Sequence, residues 1–436
     1  MASPRFAVSL TVLGLALAVL SVPAMASSPG QYVDVSIGET PNAVAVADSG
    51  VIAASLHDAQ AVALVDEAGS VRRVPLGCAP HDVDIAPSGE TAWAVCQSDE
   101  HVNVIDVASG EVSVASVGAT GLDDIVYLPA VDQLLIASIQ GQIITVGEVS
   151  LGGYVVTGRV DTAEWRVTQL APYPDGGVTY AITDAGDLIL VAMEFGGQVV
   201  PIHRATSERS FLSIALNPWT TALYAAVVNS SEPTVRTSVE LIDIRSAGAR
   251  QSVDLDFTLD GATNVDVSVG YRGIYVAAGL PAQTRTGESG LLVAPISERG
   301  ILGPVESAPV SAAVGSGVAL SHSGGRVAFG TTSSTVVAAL LDGQPYAKSV
   351  RITASAQKGV LRISGTTTSL PLVTPLKVYV KDLTVKKPRF VKQKKMAVVT
   401  SDGTISWRGN APSKRMAIYV AGDGVRSATI TVTARR

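Results

Sequence analysis

Residues 80–118 constrain the chain more than any other stretch, because they hold four short strand patterns within about 40 residues. Val83, Asp84 and Ile85 alternate, Pro87-Ser88-Gly89 reads as a turn, and the run from Thr91 to Cys96 is apolar and rich in strand formers. A polar loop over residues 97–101 leads into Val104-Ile105-Asp106, and Ala108-Ser109-Gly110 turns the chain into a fourth run, residues 111–117. A single sheet of this size cannot bury both of its faces, so it must be stacked on copies of itself.

The copies are present. Counting each first strand from the position of Pro80 gives Pro41, Pro80, Gly121, Glu164, Ser210, Ala262 and Gly315. Seven such units predict an all-β fold, a seven-bladed β-propeller over residues 27–342. Residues 32–37 repeat the outer-strand pattern of residues 71–76, yet no blade precedes them. They are therefore expected to close the ring as the outer strand of the last blade, whose own strands end near Leu341.

Residues 95–118 resemble the bacterial YVTN-type repeat: Val104-Ile105-Asp106, a turn, a strand, then Gly118 before the next entry. The pattern recurs as Val62-Ala63-Leu64-Val65-Asp66 through Gly77 to Pro80, and as Leu241-Ile242-Asp243. The resemblance covers residues 31–342 and implies the propeller fold. It leaves function open, since such propellers serve as enzymes, ligand binders and surface proteins. Sugar-lactone hydrolases and streptogramin-type lyases also use seven-bladed propellers, and neither catalytic set is complete here.

Residues 1–26 read as an export signal: Arg5, an apolar run over residues 6–22, and Ala24-Met25-Ala26 as a small-residue cleavage site. The expected location is secreted or at the cell envelope, without a transmembrane anchor. Export makes a bond between the two cysteines, Cys78 and Cys96, possible, and antiparallel neighbours would bring them to one face. Two buried free thiols are the alternative.

After a turn-rich linker at residues 343–347 the charge reverses. Residues 347–436 hold 18 Lys and Arg against 3 Asp and Glu, a net of +15. Residues 27–346 hold 13 Arg, no Lys, and 35 Asp and Glu, a net of −22. Seven strand patterns in the basic part suggest, by count, a small immunoglobulin-like β-sandwich over residues 348–436. Lys386, Lys387, Arg389, Lys392, Lys394 and Lys395 crowd into ten residues. They form either a lysine-protected edge or a contact surface for polyanions, and the imbalance of the whole region favours the second.

In a propeller, the entries to first strands share one face with the loops between second and third strands. That face would carry His57, His81, Asp82, His101, Asp123 and Arg166 as candidate ligand contacts, beside Asn42, Asp58, Asp99 and Asn264 and the insertions at residues 229–238 and 279–289. The histidines match no metal-ligand spacing, and no cofactor motif or catalytic residue is identified. Asp84 and Asp266 are expected to line the central channel as hydrated carboxylates. The functional expectation is a monomeric, non-enzymatic envelope protein. Its loop face would bind a ligand or extracellular protein, and its basic domain an anionic cell-envelope polymer; no nucleic acid is expected. A secreted lactonase-like hydrolase or lyase using the His/Asp cluster is the alternative. Docking of the two domains on each other by charge is a third.

Overall fold

A computed structural model describes residues 29–149, 153–193, 197–217, 222–229, 236–242, 250–259, 265–269, 273–278, 282–284, 291–295, 306–307, 314–331, 334–341, 349–368, 375–399, 404–422 and 425–434. The export signal, the linker at residues 343–347, Asn264 and most of the insertion at residues 279–289 lie outside these.

Strands up to Leu341 form antiparallel sheets, most of them built from four successive chain segments. In the first, Val44–Val46, Ile52–Leu56, Ala61–Val65 and Val71–Pro75 pair in order; in the second, Pro80–Ile85, Thr91–Cys96, His101–Asp106 and Val112–Ser116 do. Burial explains their composition. The middle strands Ile52–Leu56 and Ala61–Val65 are buried throughout, because neighbouring sheets cover both faces, and they read as apolar runs interrupted only by Ser55, which bonds to the Ala43 backbone. Outer strands such as Val71–Pro75 and Val112–Ser116 bury one residue each, Val74 and Ala115.

The hydrophobic core lies in slices between consecutive sheets. Ala45, Val62 and Leu64 of the first sheet meet Val83, Ile85 and Ala92 of the second, and Trp93 and Val102 of the second meet Leu122, Leu134 and Ile144 of the third. The innermost strands neighbour one another in a closed cycle, with Val44–Val46 adjacent to both Pro80–Ile85 and Val314–Leu320. Pro29–Ser36 pairs antiparallel with Thr335–Leu341, from Pro29 opposite Leu341 to Ser36 opposite Thr335. The strand with no sheet before it completes the last one. In the fifth sheet, Ala282–Thr284 adds a fifth strand against Arg250–Leu259, so part of the expected loop insertion extends a neighbouring sheet.

Tight turns join first to second strands. Gly50, Gly89, Gly176 and Gly324 occupy the same place in four of them, each with positive φ and each donating its N–H three residues back, as Gly89 does to Ala86.

Strands from Ser349 onward pair only among themselves. Ser349–Gln357, Val360–Thr368, Thr404–Asn410 and Ala397–Val399 form one group. Pro375–Asp382 pairs with Ala397–Val399 at its start, then with Arg415–Gly422 and Phe390–Lys392. Leu361, Ile363, Ile405 and Trp407 of the first group share one core with Val378, Val380, Ile418 and Val420 of the second.

Candidate functional site

The inner strands enclose a cavity of about 560 Å3, lined by Asp82, Asp84, Asp124, Gln169, Asp266 and His322 among others. Four of these are aspartates on surfaces where hydrophobic packing would otherwise be expected. The placement of Asp82, Asp124 and Gln169 has a local cause. A β-bulge falls at His81 in the second sheet, at Asp123 in the third, at Thr168 in the fourth and at Leu212 in the fifth. Each bulge adds one unpaired residue just before a polar one, and so aims that next side chain inward.

The inward side chain then reaches the following sheet. The backbone N–H of Ile125 donates to Asp82 Oδ2 at 2.8 Å, that of Leu170 to Asp124 Oδ2 at 2.5 Å, and that of Ile214 to Gln169 Oε1 at 3.0 Å. Val267 N donates to Ser213 Oγ at 3.0 Å, and Val318 N to Asp266 Oδ2 at 2.8 Å. Asp84 and Ser268 make a second tier, accepting from Tyr127 N at 2.6 Å and Leu320 N at 3.1 Å. These residues are latches between neighbouring sheets.

Electrostatics follows from burial. The Asp82 and Asp124 side chains interact directly, so each affects the other's titration. Desolvation pushes Asp82 up to about 6. It also raises Asp124 well above the ordinary carboxylate range, with the neighbouring Asp82 charge adding to it. Asp84 is raised by desolvation, partly offset by His322. Asp266 is also raised by desolvation, against bonds from Val318 N, Ser213 Oγ, Val267 N and Gln169 Nε2. A neighbouring pair of raised carboxyl groups resembles an acid/base site. Here, however, each acid of the pair accepts from a backbone N–H of the next sheet, which is the bonding of a structural latch.

Of the residues expected on the loop face, the structure brings His81 and Asp123 together. His81 Nδ1 lies 2.9 Å from the Asp123 carbonyl and 3.5 Å from its carboxylate, which also accepts from Gln97 Nε2 at 2.5 Å. Burial raises the Asp123 carboxyl, and His81 opposes that. His101 pairs with Asp99 at 3.4 Å, and exposed Arg166 with Asp184 at 3.6 Å. His57 is exposed in a turn closed by Gln60 N. Asp82 turns into the channel rather than onto that face. The cavity instead runs toward the opposite rim, where Asp48, Pro87, Pro174, His322 and Ser323 of the first-to-second turns line it. The sequence does carry a signal for the latches: a polar residue directly before an aliphatic one at Asp82, Asp124, Gln169, Ser213 and Asp266.

Cys78 and Cys96 form a disulfide with a Cα–Cα distance of 6.2 Å, as the antiparallel pairing of their sheet allows. Among the described residues, the one group with the proximity to hold a metal ion is Cys78, Cys96 and Asp99, and the disulfide removes both sulfurs as ligands. The six cations Lys386, Lys387, Arg389, Lys392, Lys394 and Lys395 are all exposed.

No protein-family model matches the sequence, and no curated protein matches it. Solved structures do match by shape. Hydrazine synthase of Kuenenia stuttgartiensis is 14% identical, with a TM-score of 0.54 over 70% of this chain and 96% of that one. A chain of the mitotic checkpoint complex is 15% identical, with a TM-score of 0.53 over 78% of this chain and 99% of that one. Both contain propellers. The fold is a β-propeller. At these identities the likeness carries the propeller architecture and nothing about ligands.

Proposed function

We propose that this is an exported, non-enzymatic binding protein of the cell envelope. It combines a seven-bladed, YVTN-type propeller over residues 27–342 with a small immunoglobulin-like sandwich over residues 348–436. The basic domain holds an anionic envelope polymer, and the propeller takes a ligand or protein. The observation that carries this reading is that the described cations from Arg351 onward stand in no ion pair with a described acid. Among the described residues, every ion pair lies before residue 327: His81 with Asp123, His101 with Asp99, Arg166 with Asp184, Arg204 with Glu164, and Arg326 with Glu67. Neutralisation of one domain by the other would place some of the basic cations in such pairs. Left unpaired, they form a positive field extending about 8 Å at physiological salt.

The latch bonding of the channel acids supports binding over catalysis. For a small ligand, the cavity that opens at the turn rim offers more contact than the separate His57, His81 and His101 positions.

Heparin affinity of the full-length protein tests the polymer reading. The variant K386E/K387E/K394E/K395E should elute at clearly lower salt than wild type. Reversal of the exposed Arg351, Lys358, Arg362 and Arg408 should shift elution less. Equal shifts, or no retention of wild type, would remove the assignment to this segment.

A further inference from the structure

The basic segment has a second property that a soluble polyanion does not need. Val385 is 50% exposed, Val391 61% and Met396 44%, and all three lie within or beside the six cations. Scattered exposed aliphatics are ordinary on protein surfaces. Three of them interleaved with six cations, with no carboxylate anywhere in residues 383–401, are a different composition. Cations alone satisfy phosphate or sulfate on a polymer. Aliphatic side chains held in water between those cations gain free energy only where the anionic surface also offers apolar volume. The headgroup boundary of a lipid bilayer offers both.

The segment is also held in place. Asp382 Oδ1 accepts from Thr384 N at 2.8 Å and Thr384 Oγ1 at 2.6 Å, fixing the turn that precedes Val385. Phe390–Lys392 pairs with Tyr379, Val380 and Lys381, and Gln393 N donates to the Val378 carbonyl at 2.8 Å. Trp407 Nε1 donates to the Lys395 carbonyl at 2.9 Å, next to Met396. Behind the strand, Phe390 stands edge-on to Tyr419 at 4.7 Å, Tyr379 stacks on Tyr419 at 4.7 Å, and the Arg426 guanidinium lies 3.9 Å from the Tyr419 ring centroid. A pre-ordered segment loses little conformational freedom on docking.

We infer that residues 385–396 dock on an anionic lipid surface, with Lys386, Lys387, Arg389, Lys392, Lys394 and Lys395 on the headgroups and Val385, Val391 and Met396 entering the acyl boundary. The inference rests on the same segment as the polymer reading and names a lipid bilayer as a partner of it. The full-length protein should cosediment with vesicles of phosphatidylcholine and phosphatidylglycerol, and not with phosphatidylcholine alone. The variant V385S/V391S/M396S should lose about tenfold or more in vesicle partitioning, through lost apolar burial, while its heparin elution stays unchanged. The variant K386Q/K387Q/K394Q/K395Q should lose both. Unaltered melting curves show that these exposed changes leave the fold intact. Wild-type vesicle binding by the serine variant, or heparin binding without vesicle binding in the wild type, would overturn the lipid assignment and leave the polymer reading standing. Loss of both ligands in the wild type would end both.

Discussion

Between the second and third sheets, a channel carboxyl group reaches the next backbone N–H. At the seam that closes the ring, Gly317 stands in the corresponding place, and a Cβ there would lie 3.7 Å from Val44 N, with no acceptor to offer it. The linkage has moved outward. Ser323 N donates to Asp48 Oδ1 at 2.7 Å, and Arg326 pairs with Glu67 at 2.6 Å. Ala43 likewise has no side-chain acceptor for the seam between the first and second sheets, where Asn42 Nδ2 reaches the His81 carbonyl at 2.8 Å instead. The two solutions respond to different variables. An inner latch is shielded from salt and sensitive to protonation, whereas an exposed ion pair is the reverse.

The largest effect should come from breaking closure itself. Deleting residues 27–40 removes the strand that pairs with Thr335–Leu341 and opens two edges, so the propeller's melting temperature should fall by about 10 °C or more. An unchanged melt would mean that the ring is held without that strand. A latched seam should be next. Asp82→Ala leaves Ile125 N and the Asp124 carboxyl without their partner, at a cost of about 1–3 kcal/mol in denaturant unfolding.

The same residue gives the seam its pH dependence. The Asp82 carboxyl is raised to about 6 in the folded chain, above its ordinary unfolded value near 4. Its stabilising contribution is therefore complete below about pH 4 and lost as pH rises through about 6. Wild-type stability minus that of Asp82→Asn should decline over that interval, and a flat difference would show that Asp82 does not titrate there. The smallest effect belongs to the closing seam's exterior. Arg326→Ala should cost less than about 1 kcal/mol and approach zero in high salt, while the Asp82→Ala cost should persist there.

The sequence revealed the repeat more readily than its register. Pro41, Pro80 and Gly315 stand two residues before Ala43, Asp82 and Gly317, the matching inward positions. By the same measure Gly121 and Ser210 are one residue early, Ala262 two and Glu164 three, relative to Asp124, Ser213, Asp266 and Gln169. Bulges at His81 and Asp123 explain why the side-chain directions were hidden, since one extra residue reverses which side of the strand a side chain takes. Asp84 and Asp266 were legible as channel residues because the residues around them alternate cleanly, whereas Asp82 sits directly after the bulge of the strand it shares with Asp84 and looked like part of an entry loop. The closing strand was legible from an outer-strand pattern lacking its own sheet, and the disulfide from antiparallel neighbours. The aliphatic partners of the lysine cluster were not, because exposure at Val385, Val391 and Met396 is set by tertiary packing and not by the local pattern.

Closure of the ring by Pro29–Ser36 also sets a rule of order. The earliest strand of the propeller to be synthesised is the last to find its partner, since Thr335–Leu341 must exist first. Until then both sheet edges at the gap remain open to other chains, and a product truncated before residue 335 would keep them open permanently. Circular permutation would remove the wait: moving residues 29–36 behind Leu341 makes the two strands a hairpin and keeps the same pairing, trading a ring-wide loop closure for a local one.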